Sequence, residues 1–234
     1  MTEVGSGDRL VVFVHGVLDR GRSFARAADL LASECRMLWY DRRGYGVSTD
    51  APGAPVDVHG HITDVRTVLD GRRAVVVGHS FGGVIAAGAA VRAPELVDTL
   101  VMYESGPAWV AGWDDTTMRR MLGGADPEEA GLRLMLGDQL DGFSVEQQER
   151  WRRHASAFVA EESSTRLPDP PFDFAELRVP VIYGVSEAAP FVAIEQHLRD
   201  VVPDVQIVPM PGAGHNAHRD APDAFADLVR RALR

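Results

Sequence analysis

The 234-residue sequence contains no lysine; all 24 of its basic residues are arginine. That absence excludes Schiff-base catalysis and the lysine-bearing phosphate loop. Cysteine occurs once, at Cys35, which rules out an internal disulfide and any site needing several thiolates. A single thiol agrees with a reducing compartment, and its expected role is apolar filler between a helix and a strand. No run of about 18 apolar residues is present, and the opening MTEVGSGDRL has neither the basic start nor the apolar stretch of a leader. The expected location is therefore the cytoplasm, without a membrane partner. Positive charge is also short: no basic tract exceeds two residues and the formal net charge is -10, which argues against nucleic acid and anionic surfaces as partners. A small neutral or cationic molecule remains as the expected ligand.

What the chain does contain is an alternation of short β-branched runs with amphipathic stretches. Candidate strands are Leu10–Val14, Met37–Tyr40, Ala74–Val77, Thr99–Tyr103, Val179–Tyr183 and Val205–Val208. Their continuous apolar character suits strands buried on both faces. Between them lie candidate helices near Ser23–Ala32, Val58–Leu69, Phe81–Arg92, Pro190–Asp200 and Pro222–Leu233. This pattern predicts an α/β fold: a doubly wound, mainly parallel sheet of about six strands with helices on both sides. Residues 107–168 break the alternation, with helix signals and no convincing strand. They read as an inserted helical cap, leaving 1–106 and 169–234 as the core. Asp126 caps one helix ahead of Pro127 and Glu129, and Ser144 with Gln147 forms a capping box for another. The insertion holds more large apolar residues than a small helical hairpin needs, so some should face a cleft. Trp109, Trp113, Met135 and Trp151 are the substrate-binding candidates, whereas its arginines read as a solvated face.

VVVGHSFGG, residues Val75 to Gly83, runs from a candidate strand through a glycine-flanked serine into a helix rich in glycine and alanine. The pattern G-x-S-x-G in a strand–turn–helix setting exposes a serine side chain and points backbone N–H groups at whatever that serine attacks. A serine hydroxyl is a poor nucleophile at neutral pH and needs a base, an acid to orient the base, and oxyanion donors. His215, in the glycine-rich PMPGAGHNAH after the last strand, is the candidate base. His218 lies beyond the turn and is expected to cap or solvate the last helix. His59, His61, His154 and His197 are expected on the surface or hydrogen-bonded in place. The first strand ends in HGVLD, where His15 is a structural candidate and the N–H groups of Val17 and Phe81 are the oxyanion donors. Neither a metal nor a cofactor is expected.

In its order of HGVLD, YDRRGYGVS, GHSFGG and GAGHNAH, the sequence resembles the α/β-hydrolase-fold superfamily over nearly the whole chain outside the cap. The resemblance implies that Asp41 and Arg43 are scaffold and that the triad acid follows a strand-ending glycine by three residues. That places Glu187 as the acid, with Glu104, at the end of the preceding strand, as its rival. The family's usual strand hairpin ahead of the histidine–glycine turn is shortened or absent here, unless Thr2 to Val4 add a strand. An uncovered edge there would invite a second copy of the chain, a possible homodimer. The expected activity is a serine hydrolase that cleaves an ester, thioester or lactone of a small, fairly apolar substrate through an acyl-serine. Two other readings stay open: a lyase or carbon–carbon bond hydrolase at the same site, and a ligand-binding protein of this fold with little turnover.

Overall fold

A computed structural model of the chain describes residues 1–49, 57–110, 116–166, 169–187 and 191–234. The strands are β1 (Thr2–Gly5), β2 (Leu10–Val14), β3 (Arg36–Trp39), β4 (Ala74–His79), β5 (Val97–Tyr103), β6 (Val181–Val185) and β7 (Gln206–Pro209). They form one sheet in the order β1-β3-β2-β4-β5-β6-β7, parallel throughout except where β1 runs antiparallel to β3. Around it lie α1 (Ala25–Leu31), α2 (Val58–Leu69), α3 (Phe81–Arg92), α4 (Thr116–Leu122), α5 (Pro127–Leu136), α6 (Val145–Ser164), α7 (Val192–Val201), α8 (Ala217–Asp220) and α9 (Pro222–Ala232).

Period-2 alternation along the buried strands explains the two layers. Val12, Val14, Val76, Leu100 and Tyr183 pack on one side with residues of α2, α3 and α7, while Val11, Phe13, Val75, Val77, Val101 and Ile182 pack on the other with α1 and α9. Helix α3 is buried from Phe81 to Ala90, so its glycines and alanines let it lie close against the sheet.

The sheet has one strand more than the sequence suggests. Thr2 pairs with Trp39 and Gly5 with Arg36, so a single N-terminal strand covers the edge at β3. Its signal is weak because β1 is an edge strand in which only Val4 packs against the core. Strand β6 begins and ends two residues later than the candidate run, at Val181 and Val185. Pro190, the expected start of the following helix, lies outside the described residues, and α7 is described from Val192. Between β5 and β6 the described residues 107–110, 116–166 and 169–180 contain helices and turns. Asp126 accepts from the Glu129 N–H at 3.0 Å, and Ser144 and Gln147 bond reciprocally, as the sequence patterns require. No helix among the described residues is long and apolar enough to cross a membrane.

Register decides where side chains converge. Val14 is level with Gly78, His79 with Tyr103, and Tyr103 with Gly184. The segments leaving β2, β4, β5 and β6 therefore emerge together at the C-terminal edge of the sheet, the usual place for a ligand in an open α/β fold.

Candidate active site

Strand β4 ends at His79 and α3 begins at Phe81, leaving Ser80 alone to make the turn, with φ 53° and ψ -127°. Such left-handed backbone is costly for a residue with a Cβ and persists only where its surroundings enforce it. Three hydrogen bonds do so: the Ser80 N–H donates to the Tyr103 carbonyl at 2.9 Å, and its own carbonyl accepts from the Gly83 N–H at 2.9 Å and the Ser105 hydroxyl at 2.6 Å. A Cβ at Gly78 would collide with Gly82 and Gly83, and one at Gly82 with the carbonyls of Val14 and His15, so both positions require glycine for close approach.

His215 sits on the loop between β7 and α8. Its Nδ1–H donates to Glu104 Oε2 at 2.8 Å, and the other carboxylate oxygen accepts from the Ser186 N–H at 3.0 Å and from the Ser186 hydroxyl. Glu104 is fully buried just past β5, itself at φ 42°. Burial pushes its pKa up, but the hydrogen bonds from His215 and Ser186 outweigh it, and the net direction is down. The carboxylate against His215 is thus Glu104, and Glu187 is exposed. The physical reason is the extent of β6: Gly184 lies inside the strand rather than at its end, so Glu187 is carried past the sheet edge. Ser186, which the sequence did not single out, takes up the turn and holds Glu104.

The loop carrying His215 is fixed from below. His79 Nε2–H donates to the His215 carbonyl at 2.7 Å, Tyr103 hydroxyl donates to the Gly214 carbonyl at 2.7 Å, and the Phe191 ring stacks on the imidazole at 5.5 Å. His218 departs from expectation, being fully buried with Nε2 3.2 Å from Asp19 Oδ2 and its ring 4.4 Å from that of His79. Asp19, His79 and His218 bring ligand atoms within 4.8 Å of one another. Nε2 of His79 and of His218 are taken up by the His215 carbonyl and by Asp19, while the Nδ1 atoms of both imidazoles are buried without a hydrogen-bond partner among the described residues. Burial holds the His79 imidazole well below its ordinary pKa, so it is neutral.

On the other side of Ser80, the turn after β2 brings Val17 to the same cavity as Ser80, Phe81, Glu104 and His215. Among the described residues neither the Val17 nor the Phe81 N–H donates to another protein group. Behind this turn lies Arg42, fully buried, ion-paired with Glu161 of α6, to which Tyr45 also donates at 2.7 Å and against which His61 Nε2 lies at 2.7 Å. Burial raises the Glu161 pKa, but Arg42 and His61 outweigh this and bring it to about 2, so the carboxylate is ionised. Asp41 accepts from the N–H groups of Gly21 and Val47, and Arg43 pairs with Asp64 at 2.7 Å, both away from the reacting groups.

The cavity at Ser80 measures about 300 Å3 and is walled mainly by apolar side chains, among them Met118 of α4, Leu134 and Met135 of α5 and Phe158 of α6. A second recess of about 300 Å3 shares Val17, Ser80, Met135 and His215 and continues towards Trp151 and Arg219. Met135 therefore lines both and Trp151 the second. Trp109 lies elsewhere, edge-on to Phe172 at 5.4 Å, and lines a separate cleft. Trp113 lies outside the described residues. Of the remaining histidines, His61 and His154 are buried rather than on the surface, with His154 Nε2 accepting from the Gly46 N–H at 3.2 Å.

The model of the alpha/beta hydrolase family matches residues 11–228. The chain is 25% identical over 256 residues to the sn-1-specific diacylglycerol lipase ABHD11 of Mus musculus, covering 95% of this chain and 80% of that protein. It is 32% identical over 116 residues to a serine hydrolase-like protein of Mus musculus, covering 48% of this chain and 36% of that one. The matched stretch spans between 32% and 49% of the length of the serine hydrolase-like proteins. Among solved structures, Est816, described as an N-acyl homoserine lactone degrading enzyme, superposes with a TM-score of 0.73 at 23% identity, covering 98% of this chain and 95% of that one. A thermophilic esterase from Thermogutta terrifontis gives 0.76 at 20% identity, covering 100% and 92%. At these identities the structural likeness establishes the fold.

Proposed function

The chain belongs to the alpha/beta hydrolase family, and from that premise we propose that it is a serine hydrolase cleaving an ester, thioester or lactone through an acyl-Ser80 intermediate. The observation that carries this reading is the meeting of Ser80 and the Glu104-bonded His215 at one largely apolar cavity. Proteins similar to this chain that are named as esterase, lipase and lactone-degrading enzyme support a carboxylic ester carbonyl as the target.

With its Nδ1–H committed to Glu104, His215 presents Nε2 as the base. It takes the Ser80 proton while Ser80 Oγ forms a bond to the substrate carbonyl carbon, and the Val17 and Phe81 N–H groups hold the oxyanion. Collapse expels the alcohol or thiol, which takes its proton from His215. Water, deprotonated in turn by His215, then releases the acid and restores Ser80. The hydroxyl of Ser80 makes no hydrogen bond among the described residues, and such contacts commonly tighten only once substrate is bound.

The test is turnover of p-nitrophenyl butyrate together with labelling by a fluorophosphonate. Wild type is expected to do both and Ser80→Ala neither; full activity in Ser80→Ala ends the reading.

A further inference from the structure

The turn that supplies the Val17 N–H is held in part from outside its own sequence. Gly16 carries no side chain, and a Cβ there would stand 3.1 Å from the Ser80 Cβ, so this peptide lies directly against the nucleophile. What fixes its orientation is a carbonyl: Gly16 O accepts from His15 Nδ1–H at 2.8 Å and from Arg42 Nη2–H at 2.9 Å. In a trans peptide the C=O of one residue and the N–H of the next point in opposite directions. Drawing the Gly16 carbonyl towards Arg42 therefore turns the Val17 N–H away from Arg42.

Arg42 also fixes His15. Its backbone N–H donates to His15 Nε2 at 2.9 Å, which leaves the proton on Nδ1 to bond Gly16, and its Nε–H donates to the His15 carbonyl at 2.9 Å. The guanidinium lies over the ring of Phe81, whose N–H is the other oxyanion donor, at 5.5 Å. Its remaining bonds run to a different part of the chain, the buried carboxylate of Glu161 in α6, 119 residues away. The same helix contributes Phe158 to the wall of the cavity.

We propose that Arg42 and Glu161 are positioning residues that turn the Val17 N–H to the oxyanion site, so that oxyanion stabilisation depends on the seating of α6. This rests on the serine-hydrolase reading above. It makes the inserted helices part of the catalytic apparatus, rather than only a wall for the substrate. A planar guanidinium is suited to the task because its rigid fork bonds two carbonyls and a carboxylate at once, which an ammonium on a flexible stem does not reproduce.

The experiment compares wild type with Arg42→Met/Glu161→Leu, which removes both charges and leaves no buried ion unpaired, and with Glu161→Gln, which keeps the shape of the side chain. Circular dichroism confirms folding. The readouts are kcat and KM for p-nitrophenyl butyrate and the inhibition constant of an alkyl trifluoromethyl ketone, whose serine adduct mimics the oxyanion. Loss of one oxyanion donor lowers kcat by roughly a hundred- to a thousandfold. In the folded double variant, kcat is expected to fall about a hundredfold with KM changed less than about threefold, and ketone affinity to fall by a factor similar to kcat/KM. In Glu161→Gln, which weakens the tether but retains a hydrogen-bond acceptor, the expected fall is about tenfold. A folded variant whose kcat and ketone affinity match wild type overturns the proposal while the parent reading stands. If the double variant does not fold, Glu161→Gln decides by the same criterion. A wild type inert towards both ester and ketone overturns the parent reading and this one with it.

Discussion

Replacing Glu104 by glutamine tests the assignment of the acid with almost no change of shape. In the native site one carboxylate oxygen accepts from the N–H and the hydroxyl of Ser186, and the other accepts from His215 Nδ1–H. A glutamine has only one oxygen to offer. The Ser186 backbone N–H is an obligatory donor in a partly buried place and its hydroxyl bonds the same oxygen, so that oxygen belongs there and the NH2 faces His215. Nδ1 must then become the acceptor, and the imidazole proton moves to Nε2, the nitrogen required as the base. Rotating the amide restores the tautomer only by setting its NH2 against the Ser186 N–H. A triad with the wrong tautomer and no carboxylate charge loses roughly a thousand- to ten-thousandfold in kcat, about 4 to 5.5 kcal/mol at about 1.36 kcal/mol per decade. The assay is p-nitrophenyl butyrate hydrolysis by Glu104→Gln and, beside it, Glu187→Gln. The exposed Glu187 is expected to be replaceable within about twofold, as surface residues away from a site usually are. Retention of more than a tenth of kcat in Glu104→Gln, or a large loss in Glu187→Gln, would refute the reasoning.

Further outcomes follow from the buried histidines and from the lining of the cavity. Desolvation brings His15 from 6.5 to about 3 and holds His79 well below 6.5, so each stays neutral where the unfolded chain takes up a proton. Their effect is absent well above pH 6.5, and stability falls as pH drops through that value, by about 1.4 kcal/mol for each histidine between pH 7.5 and 5.5. The lowered carboxyls of Glu104 and Glu161 give their stabilisation above their ordinary value of 4.5 and lose it only below, so they do not mask this window. Urea titrations at pH 7.5 and 5.5 should differ by at least about 2 kcal/mol in unfolding free energy; equal values would show that these imidazoles are solvated. Met135→Ala should raise KM for butyrate and hexanoate esters about fivefold, the loss of about 1 kcal/mol of apolar contact, with kcat little changed. Trp109→Ala should leave KM alone, because Trp109 packs on Phe172 outside the cavity; a KM shift from Trp109 and none from Met135 would reverse that assignment.

The features legible in the sequence are those whose cause is local. Helices α2 and α3 occupy the residues expected of them, Val58–Leu69 and Phe81–Arg92; an elbow marks the start of α3, and in the structure Asp57 caps α2 by accepting from the Gly60 N–H at 2.7 Å. The first core strand, Leu10–Val14, is equally plain, being a continuous apolar run that ends in a glycine turn. Glu187 does not meet His215 because Gly184 does not end its strand, which continues one residue past it. Glu104 had a signal of its own: a carboxylate directly after a strand whose last five residues are all buried has little route to solvent, and so must find a partner. For His218 and Arg42 there was no such signal. Their partners, Asp19 and Glu161, are 199 and 119 residues distant, and only folding brings them within reach.

Backbone strain ties these observations together. Leu18, Ser80 and Glu104 each adopt positive φ, at 51°, 53° and 42°, just beyond the ends of the adjacent strands β2, β4 and β5. Because the strands are in register, three sharp exits fall side by side and bring the turn after β2, Ser80 and Glu104 to one edge of the sheet. Each such conformation costs about 1 to 3 kcal/mol and persists only where the surroundings over-determine it. Here they do so with hydrogen bonds rather than with apolar packing alone: Ser105 and Gly83 hold the carbonyl of Ser80, Ser186 holds the carboxylate of Glu104, and Arg42 holds the turn before Leu18. Three of the five non-glycine residues with positive φ among the described residues thus lie at the recesses around Ser80, the others being Asp70 and Asp204, while the same hydrogen bonds leave the Ser80 hydroxyl and the Val17 and Phe81 N–H groups uncommitted among the described residues. On the proposed serine-hydrolase reading, a substrate carbonyl meets donors already in place, and little reorganisation is left to oppose the reaction.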